Sequence, residues 1–507
     1  MKKALLVALT VGLICVWAVP AMAIDWIGFG GFSVKSIVYK NIDYRVPTFW
    51  SGVPGSGQTL QGGAFGFADH QWNSTPWWLQ MRGNIYIVAR ASADLQGVFG
   101  IEVNSTRFGE GDATAGPFST SGTAGRWNAD AIAIQVKSMY IDFKVPEIPL
   151  RLQVGIQPFR VREPVFLYVD AAGVKGNLKI LAGDYAFNIN PFWAVMSKGG
   201  WAGAAGAFPF QQAGAATDQT TADDGNFFGV DVNAVLGDIK PGVFLAMQRQ
   251  GQIYDVPGLG EGDRNLWWLG AYADMKFGGL AITADFVYNG GYDQWKSGLI
   301  TLNTTEIVTP NYMARTQGYS VRHEAWIARG VASYTMNKLT IGAGALYGTG
   351  DNPGTADKDE GYRMPWRSEG TKFNDDFLVL TGDWGYREPY GFQTTGGLFK
   401  TWTTAGMGVW YVRGFADFAV TDWLKLKVNA GYIGDTVHNQ DMFGNDGNDD
   451  KSIGWEMDAA VQINIYKNLY FDNAFGYIIG GKALASQFGG FRAQDPWAFV
   501  SCLTYVF

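Results

Sequence analysis

The sequence is poor in cysteine and histidine, and it has no long apolar run beyond its amino-terminal segment. Among 507 residues there are two cysteines, Cys15 and Cys502, and three histidines, His70, His323 and His438. After residue 23, no stretch approaches the roughly 20 apolar residues that a membrane-spanning helix requires. No H-E-x-x-H or G-x-S-x-G pattern and no close His/Cys cluster is present. The sequence therefore predicts neither membrane helices, nor a resident metal or cofactor, nor an enzyme.

Basic residues are also in the minority. The chain has 39 Lys and Arg against 46 Asp and Glu, a formal net charge of -7. A protein that binds nucleic acid needs an excess of positive charge to neutralise phosphates. The balance therefore argues against a nucleic-acid partner.

Residues 1–23 have the pattern of a secretory signal peptide. Lys2 and Lys3 precede an apolar run over 4–19, and Ala21 and Ala23 supply the small residues that a signal peptidase reads. Cleavage would remove Cys15 and leave Cys502 alone, so no internal disulfide is expected. We predict one domain over 24–507, exported and stabilised by some means other than disulfides.

Aromatic residues and glycine are abundant, and they occur in long stretches with a two-residue period. The chain contains 68 Gly, 20 Trp, 23 Tyr and 33 Phe. Over residues 77–90 apolar side chains alternate with Gln80, Arg82, Asn84 and Arg90. This alternation is much longer than the strands of about 5–6 residues that are common in globular proteins. It is typical of a strand with one face in lipid and the other in water.

The same alternation recurs over 150–157, 280–289, 424–433 and 455–466. Turn-like pairs such as Gly278-Gly279 and Asn337-Lys338 alternate with long polar connections. The pattern predicts an all-β fold: a transmembrane antiparallel β-barrel of about 16–18 strands, with short periplasmic turns and long extracellular loops. Our count is eighteen. Twenty remains open because 377–380 is apolar enough for an extra hairpin, and sixteen because the strand at 192–198 is short.

The last ten residues form an alternating strand that ends on an aromatic carboxyl terminus. Leu503, Tyr505 and Phe507 share one face of this strand. Such an edge would be sticky in a soluble protein, but it is expected where the last strand pairs with the first. The pattern resembles the carboxyl-terminal assembly signal of bacterial outer-membrane proteins. That resemblance implies the outer-membrane insertion machinery as a partner.

A barrel of this size leaves a lumen wide enough for water, so charged side chains on the inner face become candidate pore residues. The third long connection, 158–176, is expected to be a loop that folds inward and narrows the pore, as in general porins. The opposite interpretation, that its charges are only solvated at the mouth, stays open. The candidate constriction and lumen residues are Arg82, Arg90, Arg151, Arg160, Arg162, Glu163, Asp170, Arg329, Arg413, Lys425, Lys427, Glu456, Asp458 and Asp472.

Two blocks carry a family resemblance. The stretch 150–159, continuing to Asp170-Ala-Ala-Gly-Val, and the stretch from Glu456-Met-Asp458 to Gly476-Tyr-Ile resemble the outer-membrane homotrimeric porins of anaerobic sulfur- and metal-reducing bacteria. The resemblance implies an integral protein of the Gram-negative outer membrane, a homotrimer that lets small hydrophilic solutes and ions diffuse passively. It implies no catalytic residues.

Three alternatives remain open at this point. A substrate-specific channel for carbohydrate or polymer would use lumen-facing aromatic rings, with Tyr86, Tyr411, Tyr466 and Tyr470 as candidates. A surface adhesion or structural barrel would have a plugged lumen. The acidic loop 441–450 offers oxygen ligands for Ca²⁺, although the EF-hand spacing fails, and a looser version has divalent ions bridging it to lipopolysaccharide.

Overall fold

The structure is a computed structural model. It describes residues 24–40, 77–107, 134–163, 165–197, 225–251, 261–297, 320–352, 355, 357–365, 376–382, 384–387, 408–437, 451–483 and 495–507. The signal segment 1–23, the acidic loop 441–450, His70 and His438 lie outside these residues. Within them, none of the helical segments has the length and hydrophobicity needed to cross a membrane.

The described residues contain nineteen strands. In chain order they are β1 Asp25–Lys40, β2 Trp77–Ser92, β3 Leu95–Arg107, β4 Ile134–Lys144, β5 Leu150–Val161, β6 Leu167–Ala182, β7 Tyr185–Ser197, β8 Gly225–Val235, β9 Ile239–Gln250, β10 Glu261–Phe277, β11 Leu280–Ser297, β12 Ser320–Met336, β13 Leu339–Gly348, β14 Lys358–Asp359, β15 Val409–Ala419, β16 Leu424–Gly434, β17 Ser452–Tyr466, β18 Leu469–Gly480 and β19 Trp497–Val506. The two-residue strand β14 pairs parallel with β12, and the other eighteen form the wall.

The wall closes on itself. Each wall strand pairs antiparallel with its neighbour in the chain, and β13 pairs with β15. The ring is completed because β1 pairs with both β2 and β19, with Gly31 opposite Val506. Gly30 and Phe507 extend this seam by exchanging two backbone hydrogen bonds of 2.9 and 3.0 Å. These pairings confirm the predicted all-β closed barrel and the count of eighteen strands.

The two faces of the wall differ in composition, as the alternation predicts. Large apolar side chains point outward and are exposed, among them Ile141, Val243, Leu269, Val428 and Trp455. The inner face carries buried polar and charged side chains, such as Lys35, Arg82, Asp142 and Glu456. A wall with an apolar outside and a polar inside, closed on itself by the pairing of its first and last strands, meets the physical requirements of a lipid bilayer.

Short and long connections alternate around the ring. The turns at 93–94, 278–279, 337–338 and 467–468 join strands at one end, and the long connections lie at the other. The boundaries predicted for the short strand at 192–198 were wrong, because β7 runs from Tyr185 to Ser197. The preceding turn falls at 183–184, where Gly183 has a φ of +61°, and Pro191 lies inside β7 opposite Val230.

Two predictions about connections also need correction. The segment 158–176 is mostly strand, because β5 continues to Val161 and β6 begins at Leu167. The apolar stretch 377–380 adds no hairpin to the wall. It lies inside the barrel as irregular backbone, and all four of its side chains are fully buried. Hydrophobicity alone did not separate a wall strand from a segment packed against the inner wall.

Candidate functional site

The upper part of the β5–β6 hairpin leaves the wall. β4 pairs with β5 only as far as Ile156, and β7 pairs with β6 only as far as Gly173. Beyond these points the two hairpin strands pair only with each other, up to Val161 and Leu167. We call residues 157–172 the inner hairpin. Its tip contacts strands β8 to β11, which lie two to five places beyond β6 in the ring.

Two glycines stand at the bend where the inner hairpin departs. Gly155 and Gly173 are opposite each other in the β5–β6 register. Gly155 has a φ of +135°, and a Cβ there would lie 2.2 Å from the carbonyl oxygen of Met139. A Cβ on Gly173 would lie 2.0 Å from the carbonyl oxygen of Trp193. Only glycine fits at this bend without displacing the neighbouring strands.

The tip of the inner hairpin is anchored by Arg162. Its guanidinium pairs with Asp274 on β10, with nitrogen–oxygen distances of 2.8 and 3.0 Å, and with Asp285 on β11. The same guanidinium lies 4.5 Å from the centre of the Tyr272 ring. These pairs join residues more than one hundred positions apart in the chain, so Arg162 ties the hairpin to the inner wall at β10 and β11.

Aromatic packing supports the same anchor. Phe166 at the tip stacks on Phe244 of β9, with ring centres 4.4 Å apart, and contacts Trp268 of β10 and Phe227 of β8. Phe166 and Trp268 are fully buried. Burying side chains of this size stabilises the inserted tip by several kcal/mol, at about 25 cal/mol per Å² of apolar surface.

The connection between β13 and β15 also enters the lumen. We call its described residues 376–382 and 384–387 the inner segment. At one end Asp376 accepts hydrogen bonds from Arg329 at 3.0 Å, and from Tyr411 and Arg413. Burial by itself raises the pKa of the Asp376 carboxyl, but the two guanidinium groups outweigh it and hold this pKa below its usual value. The carboxylate is therefore charged and fixed between β12 and β15.

The middle of the inner segment is held by two carboxylates on β17. The backbone N–H groups of Val379 and Leu380 donate to the two oxygens of Glu456 at 2.5 and 2.9 Å. Asp458 accepts from the N–H of Leu378 at 3.4 Å and from the Asn429 amide at 2.8 Å. Glu456 and Asp458 thus supply the backbone partners that this irregular stretch lacks.

The far end of the inner segment is held by Arg387. Its guanidinium lies 2.6 Å from an oxygen of Asp472 on β18, and its carbonyl accepts from the Thr504 hydroxyl of β19 at 2.9 Å. Gly385, with a φ of +90°, packs on the wall so closely that a Cβ would lie 2.8 Å from the Cβ of Ala460. The inner segment therefore lines the wall from β12 to β19.

A third inserted piece, residues 357–365, completes this layer. His323 of β12 lies 3.4 Å from Asp293 of β11 and 3.4 Å from Asp359 of β14. Each carboxylate has its own guanidinium partner: Arg264 lies 2.7 Å from Asp293, and Arg363 lies 2.7 Å from Asp359. The Tyr362 hydroxyl donates to the Val165 carbonyl at 2.7 Å, which joins this piece to the tip of the inner hairpin.

Most of the remaining residues predicted to line the lumen form pairs along the inner wall. Arg82 pairs with Glu102 at 2.7 Å, and Lys137 bridges Glu102 and Asp170 at 2.9 Å each. Arg151 pairs with Asp142 at 2.5 Å, and Lys425 pairs with Asp417 at 2.6 Å. Two other basic groups contact aromatic rings: Lys427 lies 5.1 Å from the Trp384 ring centre, and Arg160 lies over Tyr168. Arg90 is exposed near a short turn, and Glu163 is half-buried in the hairpin turn.

Basic and acidic candidate residues lie close together in the lumen. Arg329 and Arg413 share Asp376, which comes from the inner segment. The acidic residues Glu456 and Asp458 bind backbone N–H groups of that segment. Positively and negatively charged side chains lie next to each other here, because the inserted segments supply oppositely charged partners for residues of the wall.

The tyrosines proposed for a sugar-binding track do not form one. Tyr411 is covered by Phe377, Tyr466 is exposed beside a turn, and Tyr470 is covered by the Arg387 guanidinium 4.4 Å from its ring centre. Tyr86 stacks on Phe29 near the short-turn end, with ring centres 5.1 Å apart. These four rings therefore do not line one continuous surface.

Sequence reasoning missed several residues that build this site: Lys137, Lys175, Asp274, Asp285, Asp376 and Arg387. Lys175, Asp274 and Asp285 sit at inward positions of alternating strands, a signal that was available. Asp376 and Arg387 lie in a long connection with no periodic pattern, so nothing in the sequence marks them as lumen residues.

Comparison with known proteins gives a likeness of fold. No family model matches the sequence, and no curated protein matches it. Among solved structures, the chain is similar to OpdL of Pseudomonas aeruginosa, with 9% identity, a TM-score of 0.46, and 95% of this chain and 98% of that chain covered. It is similar to the BenF-like porin from Pseudomonas fluorescens Pf-5, with 11% identity, a TM-score of 0.46, and coverage of 95% and 98%. OpdK of Pseudomonas aeruginosa, solved with vanillate, has 10% identity, a TM-score of 0.46 and the same coverage.

Proposed function

We propose that this protein is a porin of the Gram-negative outer membrane, through which small hydrophilic solutes and ions diffuse passively. The observation that carries the proposal is the inner hairpin, which Arg162, Asp274 and Asp285 tie to the inner wall at β10 and β11. A barrel of eighteen strands is wide enough for an aqueous channel, and an inserted hairpin reduces its cross-section.

The mechanism needs no reaction and no energy input. The inner hairpin and the inner segment sieve solutes by size. Fixed charges along the remaining inner wall replace part of the hydration shell of a passing ion, and the site sorts solutes by charge. The ion pairs keep those charges in fixed positions.

A second candidate is a substrate-specific channel. It is favoured by a cavity of about 270 Å³ on the inner wall, lined by Arg151, Arg160, Lys175 and Asp231 among others. A general pore needs wetted walls but no defined cavity. Saturable block of conductance by one solute, with no block by others of the same size and charge, distinguishes the second candidate from the first.

Assembly belongs to the same proposal. We expect export by the signal segment 1–23, insertion by the outer-membrane machinery reading Leu503, Tyr505 and Phe507, and a homotrimer in contact with lipopolysaccharide. These three carboxyl-terminal side chains are exposed on the outside of the barrel, which supports the insertion step, because the insertion machinery must contact them to recognise them. Chemical cross-linking in intact outer membranes tests the trimer. Detection of monomer alone, with no cross-linked species, would contradict it.

Planar-bilayer recording tests the channel. The purified, refolded barrel is reconstituted, and its folded state is checked by the circular dichroism of a β-protein. We expect stepwise, ohmic openings and swelling of liposomes in small sugars. A folded barrel that inserts but never conducts would overturn the porin proposal and favour the adhesion or structural barrel.

A further inference from the structure

The cavity on the inner wall carries two charged groups of opposite sign that have no ion-pair partner among the residues that the structure describes. It lies between β5 and β8, and its lining includes Lys175 of β6, Asn190 and Phe192 of β7, and Asp231 of β8. Arg151 also lines it, but that guanidinium is already paired with Asp142 at 2.5 Å. The charged groups that remain available to a ligand are therefore Lys175 and Asp231.

Lys175 is the basic group. Its ammonium donates to the Pro158 carbonyl at 2.7 Å and lies 5.6 Å from the Phe159 ring centre. Among the described residues, no carboxylate oxygen comes within 4.0 Å of it. An ammonium has three N–H donors, so two remain for a ligand. Arg160, which also lines the cavity, donates to the Tyr168 hydroxyl at 3.2 Å and adds positive charge on the same side.

Asp231 is the acidic group. Its carboxylate accepts hydrogen bonds from the Tyr272 hydroxyl at 2.7 Å, the Asn190 amide at 3.0 Å and the Asn233 amide at 2.8 Å. All three donors are neutral, and no Lys or Arg of the part of the chain described here lies within ion-pair distance of Asp231. The neutral donors fix the carboxylate in place and leave its charge uncompensated.

The strand register fixes the distance between the two groups. Lys175 is opposite Phe192, and Asp231 is opposite Asn190, two residues along β7. Two strand spacings separate β6 from β8, about 10 Å, and the two-residue offset along β7 adds about 7 Å in the perpendicular direction, so the two Cα atoms are about 12 Å apart. Both side chains line the same cavity, so a compact molecule whose carboxylate and ammonium are attached to one carbon atom would lie there between charges of opposite sign.

We propose that this cavity is a binding site for small zwitterions of the α-amino-acid type. Lys175, assisted by Arg160, receives the carboxylate, and Asp231 receives the ammonium. The volume of about 270 Å³ is smaller than the pockets of about 300–1,000 Å³ that hold drug-sized ligands, which agrees with a compact solute. This inference rests on the proposed channel function only for the role of the site in transport, since binding itself requires no open pore.

Calorimetry on the detergent-solubilised full chain tests the site with three probes. L-alanine carries both charges, propionate lacks its ammonium, and ethylamine lacks its carboxylate. We expect saturable binding of L-alanine, and binding of each analogue at least about tenfold weaker, because each loses a charge-assisted hydrogen bond.

Lys175→Gln and Asp231→Asn are each expected to weaken L-alanine binding by about tenfold or more. Lys179→Gln, on the same strand but outside the cavity, is the control and is expected to bind like wild type.

The outcomes separate the proposals. Propionate binding as tightly as L-alanine, with Asp231→Asn unaffected, would make this a simple anion site and overturn the zwitterion inference. Absence of saturable L-alanine binding would overturn it as well. In planar bilayers, L-alanine is expected to block the wild-type current and to leave the Lys175→Gln current unchanged. A chain that binds L-alanine but never conducts would overturn the porin and leave the binding site standing.

Discussion

Single residues in the lumen act mainly as partners that hold inserted backbone in place. Arg162, Glu456 and Arg387 each connect one inserted piece to a wall strand. Arg162 and Arg387 act through ion pairs with the buried carboxylates of Asp285 and Asp472, and loss of either guanidinium leaves a lone buried charge behind. Glu456 acts by accepting hydrogen bonds from backbone N–H groups. A few side chains thus hold the inserted pieces against the wall.

Replacing Arg162 is expected to widen the channel. Arg162→Gln removes the guanidinium that neutralises Asp274 and Asp285, and breaking a pair of this kind costs on the order of 3 kcal/mol of anchoring. The hairpin tip should then move, so single-channel conductance and open-channel noise rise. Arg322→Gln, at a side chain that is 57% exposed, is the matched control and should leave both unchanged. Unaltered conductance in folded Arg162→Gln would show that the tip does not set the constriction.

Asp351, in the connection after β13, gives the stability a pH dependence. Burial, with Asp359 nearby, raises the pKa of Asp351 to about 8 in the folded protein, against about 3.9 in an unfolded chain. Between these values the folded state holds a proton that the unfolded state has lost. The contribution of Asp351 to the free energy of unfolding therefore falls as pH rises from about 4 to about 8, and it is constant above that.

Asp351→Asn should flatten this dependence. The variant has no carboxyl to ionise, so its thermal midpoint should fall less between pH 5 and pH 8.5 than that of wild type. Tryptophan fluorescence during heating in detergent measures the midpoint. Asp184→Asn, at an exposed turn, should keep the wild-type dependence. Equal slopes for wild type and Asp351→Asn would contradict the assignment.

At the scale of elements, the bend at Gly155 and Gly173 turns two ordinary wall strands into an inserted hairpin. Gly155→Ala is expected to lower stability by about 1–3 kcal/mol, because a φ of +135° is strained for any residue with a Cβ. Gly97→Ala on β3 is the control, since a Cβ there meets nothing within 4 Å. Thermal midpoints of the two variants decide the matter: equal midpoints would mean that the bend tolerates side chains.

The elements also show what the sequence could predict. Alternation over 77–90, 280–289 and 424–433 predicts wall strands, because a strand with one face in lipid must repeat every two residues. It does not by itself predict the inner hairpin, although the apolar positions change from even (Val154, Ile156) to odd (Phe159, Val161) where the strand leaves the wall. It also fails for 376–382 and 384–387, whose irregular backbone is determined by partners on strands from β12 to β19. Local pattern determines the wall, and long-range pairing determines the inserted pieces.

On the scale of the whole molecule, the outer surface decides where the protein can exist. Val428→Arg places a charge at an outward position that is 54% exposed, and it is expected to cost about 2–4 kcal/mol in a bilayer. Folding yield into lipid vesicles, followed by the heat-dependent shift in gel mobility, should drop. Lys427→Arg, one residue away on the inner face, should fold normally. Normal folding of Val428→Arg would mean that this face does not meet lipid.

The seam between β1 and β19 has a consequence for the order of assembly. The first strand, β1, pairs with β2 and also with the last strand, β19, where Lys35 lies opposite Cys502. A contact so distant along the polypeptide forms slowly, and until it does β1 offers a row of unsatisfied amides to any other chain. Protection by a chaperone during export is therefore most important for β1, which is synthesised first and completes its pairing last.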